Sequence, residues 1–167
     1  SLRFFAGDDL SADLCDRDSR IADAHAAGQP MGAVMAKAST FFIEATADKI
    51  PLSEIQIVKG WVDESGSTHQ QVLSINGPVD PSADVQLSTC DRSGEGAERL
   101  CSVWTDPEPV TNGFYYARVL ENPTCRWSQR ECNGFVDSDK PPGCTESFVE
   151  KSVQQRAWSS PIWIGEE

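Results

Sequence analysis

His25 and His69 are the only two imidazoles in a chain of 167 residues, and a hydrolase that works by nucleophile and base needs one of them beside a serine or cysteine. His25 falls in an alanine-rich stretch with no such partner, and His69 follows the turn sequence Ser65-Gly-Ser-Thr. Both read as structural histidines. No Gly-x-Ser-x-Gly elbow, phosphate-binding glycine loop or His-Glu-x-x-His occurs in the chain. The carboxylates Asp8, Asp9, Asp13, Asp16 and Asp18, and the pair Asp137 and Asp139, have the oxygen chemistry that calcium favours, but not the spacing of an EF-hand. Solvated acids and helix caps account for them. No catalytic residue and no metal ligand is therefore assigned within the chain.

Six cysteines, Cys15, Cys90, Cys101, Cys125, Cys132 and Cys144, form no Cys-x-x-Cys pair. An even number in a chain of this size points to disulfides and an oxidising compartment, periplasmic or extracellular, rather than to zinc. Loop length favours Cys90 with Cys101 and Cys125 with Cys132, which leaves Cys15 with Cys144. Of five tryptophans, Trp61, Trp104 and Trp163 fall on apolar alternating runs and are expected to point inward. Arg126 with Trp127, which precedes Ser128, and Arg156 with Trp158 are the candidates for contact with a ligand or another domain. Salt bridging is the default use of Arg118, Arg126, Arg130 and Arg156 in so acidic a chain.

These groups must be positioned by strands. Period-two alternation with β-branched or aromatic residues marks strands at 2–6, 40–46, 54–62, 69–75, 100–105, 114–121 and 160–164. In the third, Ile55, Ile57, Lys59 and Trp61 share one side, with Lys59 expected near a frayed end. Asp63-Glu-Ser-Gly-Ser reads as a hairpin loop that pairs the third and fourth strands. A short helix is expected at 20–27, capped by Asp16 or Asp18 and stopped by Gly28 and Pro30. The stretches 76–93 and 133–147, rich in Gly, Pro, Ser and Asp, read as long surface loops that need staples. The expected architecture is one mainly β domain over 1–167, an antiparallel β-sandwich of the immunoglobulin-like class with one short helix near the N-terminus and two long disulfide-stapled loops.

Twenty-six acidic residues against 14 basic give a net charge of -12, which disfavours nucleic acid and anionic lipid as partners. No apolar run reaches membrane-spanning length, so no membrane insertion is expected. The start Ser-Leu-Arg-Phe-Phe, without an initiator Met, reads as that of an excised or processed piece.

The segments Arg3-Phe-Phe-Ala-Gly, Asp13-Leu-Cys-Asp, Gln29-Pro-Met-Gly, Ile55-Gln-Ile-Val-Lys-Gly-Trp-Val-Asp, Phe114-Tyr-Tyr-Ala-Arg-Val-Leu-Glu-Asn-Pro-Thr-Cys-Arg-Trp-Ser and Gln155-Arg-Ala-Trp-Ser-Ser-Pro-Ile-Trp-Ile occur in that order. Together they resemble the C-terminal part of the bacterial family of domain of unknown function 3604. That resemblance implies kinship with metallohydrolases of the polymerase-and-histidinol-phosphatase type. It also implies a preceding catalytic domain that carries the His and Asp ligands of a divalent metal. In this chain the matching hallmark is Asn122-Pro-Thr-Cys-Arg-Trp-Ser, with Cys125, Arg126 and Trp127. The expected function is then a non-catalytic accessory module that stabilises or shapes the preceding domain, its partner, with the Arg126–Trp127 loop facing that domain. The alternative is a carbohydrate- or protein-binding module that uses exposed aromatics.

Overall fold

A computed structural model describes residues 1–7, 10, 12–16 and 40–165. The elements are β1 (Leu2–Ala6), β2 (Thr40–Thr46), β3 (Leu52–Val62), β4 (Thr68–Asn76), β5 (Asp84–Val85), β6 (Arg92–Ser93), β7 (Arg99–Thr105), β8 (Gly113–Glu121), β9 (Thr124–Cys125), the helix α1 (Trp127–Asn133), β10 (Ser152–Val153), β11 (Arg156–Trp158) and β12 (Ile162–Ile164). Short 3-10 turns lie at Ala12–Cys15, Asp137–Asp139 and Pro142–Cys144. The protein is mainly β, and every strand pairing is antiparallel. One sheet runs β1-β2-β7 and a larger one β11-β8-β3-β4, with β12 also on β8; β5-β6 and β9-β10 are two-stranded ribbons. No described helix is long and apolar enough to cross a membrane.

The seven strands expected from alternation are all present, each within two residues of its expected bounds. The β3–β4 hairpin forms as its turn residues require, with Gly66 at φ 83°. The main cluster of buried side chains draws on both larger sheets: Phe41, Ile43 and Ala45 from β2, Leu100 from β7, Ile55 and Ile57 from β3, and Tyr115, Ala117 and Val119 from β8. Trp104 packs against this cluster and stacks on Phe41 at 6.0 Å. The other side of β2 is buried too. Phe42 packs with Leu14 of the first 3-10 turn, and Glu44 is clamped by Arg3 at 3.1 Å and Arg99 at 2.7 Å.

Three expectations change, and a fourth falls outside the described residues. The helix expected at 20–27, with His25, lies outside the described residues, and the described α-helix, α1, belongs to the C-terminal region. The disulfides are Cys15–Cys101, Cys90–Cys125 and Cys132–Cys144, so none of the three expected pairings occurs. Each long loop is nevertheless tied by one of its cysteines: Cys90 in 76–93 and Cys144 in 133–147. Trp163 is 47% exposed, because its neighbours Ile162 and Ile164 take the inward positions of β12.

Lys59 is not at a frayed end. Strand pairing continues past it to Val62, and the side chain is buried. Its ammonium donates to Asp106 Oδ1 at 3.2 Å and Oδ2 at 3.0 Å, and to the Glu108 carbonyl at 3.0 Å. The Tyr115 hydroxyl donates to Asp106 Oδ2 at 2.7 Å and accepts from the Val110 amide. Each buried polar group of this Lys59–Asp106–Tyr115 network thus has a partner, the condition under which a charge is tolerated inside a core.

Burial, with the Asp106 carboxylate beside it, pushes the Tyr115 hydroxyl above its ordinary pKa of 10.0. Below that pH the phenol is protonated whether the chain is folded or not. Above it the unfolded chain releases the proton first, so stability falls as pH rises. Tyr115→Phe is expected to lose about 1 kcal/mol near neutrality and to show a shallower fall in stability above about pH 10. Urea midpoints of both proteins across that range check this; equal alkaline slopes would refute it.

Candidate functional site

β8 alternates. Tyr115, Ala117 and Val119 face the core, so Phe114, Tyr116 and Arg118 occupy the opposite face of the larger sheet. Register places Trp163 of β12 across from Phe114, and Trp158 of β11 across from Arg118. Cross-strand neighbours on one face stand about 5 Å apart at Cβ. Phe114 stacks with Tyr116 at 6.2 Å and meets Trp163 edge-on at 5.4 Å. Gly60 allows this packing: a Cβ there would lie 2.6 Å from the Phe114 ring.

These rings, with Ser159 and Pro161, enclose an open hollow of about 300 Å³. The Ser159 hydroxyl is already engaged, accepting from the Ala117 amide and donating to the Ser160 carbonyl. The lining is consequently apolar, with Trp158 exposed at 59%. An exposed aromatic hollow of this size is a surface on which a ligand ring or a partner side chain can seat.

Two arginines, Arg118 and Arg156, lie close to Trp158 by register and sequence position. Arg118 donates to Gln56 Oε1 through Nε at 2.8 Å and through Nη2, while Nη1 has no partner among the described residues. Arg156, two residues from Trp158 on the same face of β11, makes no ion pair with any described residue. Arg126 and Arg130 make none either, so among the described residues the salt bridges expected of all four arginines are not formed.

Of the four residues singled out in the sequence, Trp158 lines this hollow and Arg156 stands two residues before it. Arg126 and Trp127 are elsewhere, at the start of α1. Trp127 is the first residue of a helix rather than the tip of a Cys125–Cys132 loop, and it is 73% exposed. None of the residues of α1 is buried. The helix is held by covalent bonds on both sides, Cys90–Cys125 just before it and Cys132–Cys144 from its last turn. Phe135, Val136 and Phe148, in the chain that follows, are also exposed.

A second cleft, of about 390 Å³, lies beside the Lys59 network and is lined by Trp61, Asp63, Glu64, Gln71 and Glu108 among others. Much of its chemistry is turned inward. His69 Nε2 bonds Asp63 Oδ2 at 2.6 Å and stacks on Trp61 at 5.2 Å, and Lys59 lies 5.7 Å from the Trp61 ring centre. The Ser65 hydroxyl, His69 and the Ser67 amide hold the Asp63 carboxyl well below the usual carboxylate range. Asp137 pairs with Lys140 at 2.7 Å and Asp139 accepts from Ser138. Among the described residues no three His, Cys, Asp or Glu side chains converge as a metal site would require. Asp8, Asp9 and Asp18 and the Asp13 side chain lie outside the described residues.

Phe114, Tyr116 and Trp163 were not singled out from the sequence as site residues. The available signal was the spacing of Phe114, Tyr116 and Arg118 on one side of a strand whose other side is Tyr115, Ala117 and Val119.

No curated protein and no solved structure matches the chain. Residues 1–166 match the family described as Protein of unknown function (DUF3604), and the chain, mainly β and crosslinked by three disulfides, belongs to that family.

Proposed function

We propose that the chain is a single, non-catalytic β-sandwich domain of the immunoglobulin-like class. In this reading it forms the C-terminal part of a secreted or periplasmic metal-dependent hydrolase and stabilises or shapes the catalytic domain that precedes it. A core shared between the two larger sheets supports the sandwich, and three disulfides with no free cysteine are compatible with an oxidising compartment. The divalent metal of such an enzyme would be held by the preceding domain.

The observation that carries the docking role is α1. A helix with no buried residue, fixed by a disulfide on either side and bearing an exposed tryptophan, has a face that the described residues do not cover. Its rigidity lowers the entropy lost when a partner surface is laid on it. Substituting Arg126→Ala with Trp127→Ala in the full-length protein is expected to lower the melting temperature of the preceding domain and its hydrolytic activity. Because both residues are exposed or nearly so, melting of the β domain itself should stay unchanged. Differential scanning calorimetry and activity assays on the same samples check this. Unchanged activity, domain association and melting would refute the docking role.

A further inference from the structure

We propose that the aromatic hollow on the outer face of the larger sheet binds a pyranose ring carrying a carboxylate, as in a uronate-containing polysaccharide. The surface differs from the one at α1, so this inference stands or falls separately from the docking role. A pyranose presents one face of C–H groups, which seats on an aromatic ring by dispersion and weak C–H contacts. Trp158 supplies the exposed ring, and Phe114, Tyr116 and Trp163 supply the walls.

Charge selects among sugars. In a chain with net charge -12, two arginines without acidic partners among the described residues stand next to Trp158 by strand register and position: Arg118 opposite it and Arg156 two residues before it. Arg118 stands directly across from Trp158, its guanidinium held by two hydrogen bonds to Gln56 on the neighbouring strand β3, and its Nη1 has no partner among the described residues. Arg156 stands one side-chain row further along β11. The nearest acid by register is Glu54, across from Leu120 as Arg156 is, and it pairs with neither arginine. A guanidinium with open donors is the group best matched to a carboxylate, and a pre-oriented one loses little entropy on binding. A neutral sugar would leave those donors to water. An acidic peptide would satisfy the arginines but would not need stacked rings.

The test is titration of the protein with oligogalacturonate, with its fully methyl-esterified counterpart and with oligoglutamate, followed by calorimetry and tryptophan fluorescence. Binding is expected for oligogalacturonate, weaker by about tenfold or more for the ester, and absent for oligoglutamate. Trp158→Ala and Arg156→Ala are each expected to weaken binding about tenfold. Both residues are exposed, and unchanged melting curves will show that the fold is kept. Equal binding of the ester would overturn the role of the carboxylate, and equal binding of oligoglutamate would assign the site to acidic peptides instead. Failure of oligogalacturonate to bind would overturn the proposal outright. So would binding that survives Trp158→Ala.

Discussion

Replacing Asp106 with alanine is expected to lower the stability of the protein by roughly 3–5 kcal/mol, because it strands the buried Lys59 ammonium. The side chains of Lys59 and Asp106 are 5% and 1% exposed, so water cannot replace the lost partner without opening the core. The same substitution removes the acceptor for the Tyr115 hydroxyl and the Glu108 amide, which hold the 106–110 segment against β8. A loss of that size is a large share of the roughly 5–15 kcal/mol that keeps a domain folded. The double variant Lys59→Met with Asp106→Leu is expected to recover much of it, since an apolar pair of similar volume carries no desolvation penalty. Urea unfolding followed by tryptophan fluorescence checks both. A loss below about 1 kcal/mol for Asp106→Ala would show that the pair does not clamp the core.

Removing the Cys15–Cys101 bridge by Cys15→Ala with Cys101→Ala is expected to cost roughly 4–5 kcal/mol, the most of the three disulfides. It spans 86 positions, against 35 for Cys90–Cys125 and 12 for Cys132–Cys144. In the chain-entropy account, the longer closed loop restricts the unfolded ensemble more; the shortest bridge should be worth about 3 kcal/mol. Losing the long bridge also frees the turn Ala12–Cys15, whose Leu14 covers Phe42. Unfolding midpoints of the three paired variants test the ranking. If the Cys132–Cys144 pair proved the costliest, the entropic argument would fail for this fold.

The long strands were legible because alternation over seven or more residues survives individual exceptions. β5, β6, β9, β10 and β11 have two or three residues each, too few to show a period. The helix α1 was hidden for another reason: Trp-Ser-Gln-Arg-Glu-Cys-Asn has no apolar stripe and its N-cap, Arg126, makes no capping bond. Loop length misdirected the cysteine pairing. Cys101 lies on the side of β7 that the turn at Ala12–Cys15 covers, a long-range placement that outweighs the entropic preference for nearby partners. Lys59 was misplaced because its partner is 47 residues away. The site was half legible: Arg156 and Trp158 could be picked out as exposed candidates, but the rings that complete the hollow arrive through the registers of β8 with β11 and β12.

From Phe114 to Val119, β8 puts its odd-numbered side chains into the interior and its even-numbered ones on the open face. What the outer face would grip in the proposed reading, and how firmly the domain holds together, are therefore set by interleaved but separate positions. Phe114, Tyr116 and Arg118 can be exchanged to retune affinity while Tyr115, Ala117 and Val119 stay fixed. Relatives with the same scaffold are accordingly expected to diverge in what they bind by changing every second residue of one strand.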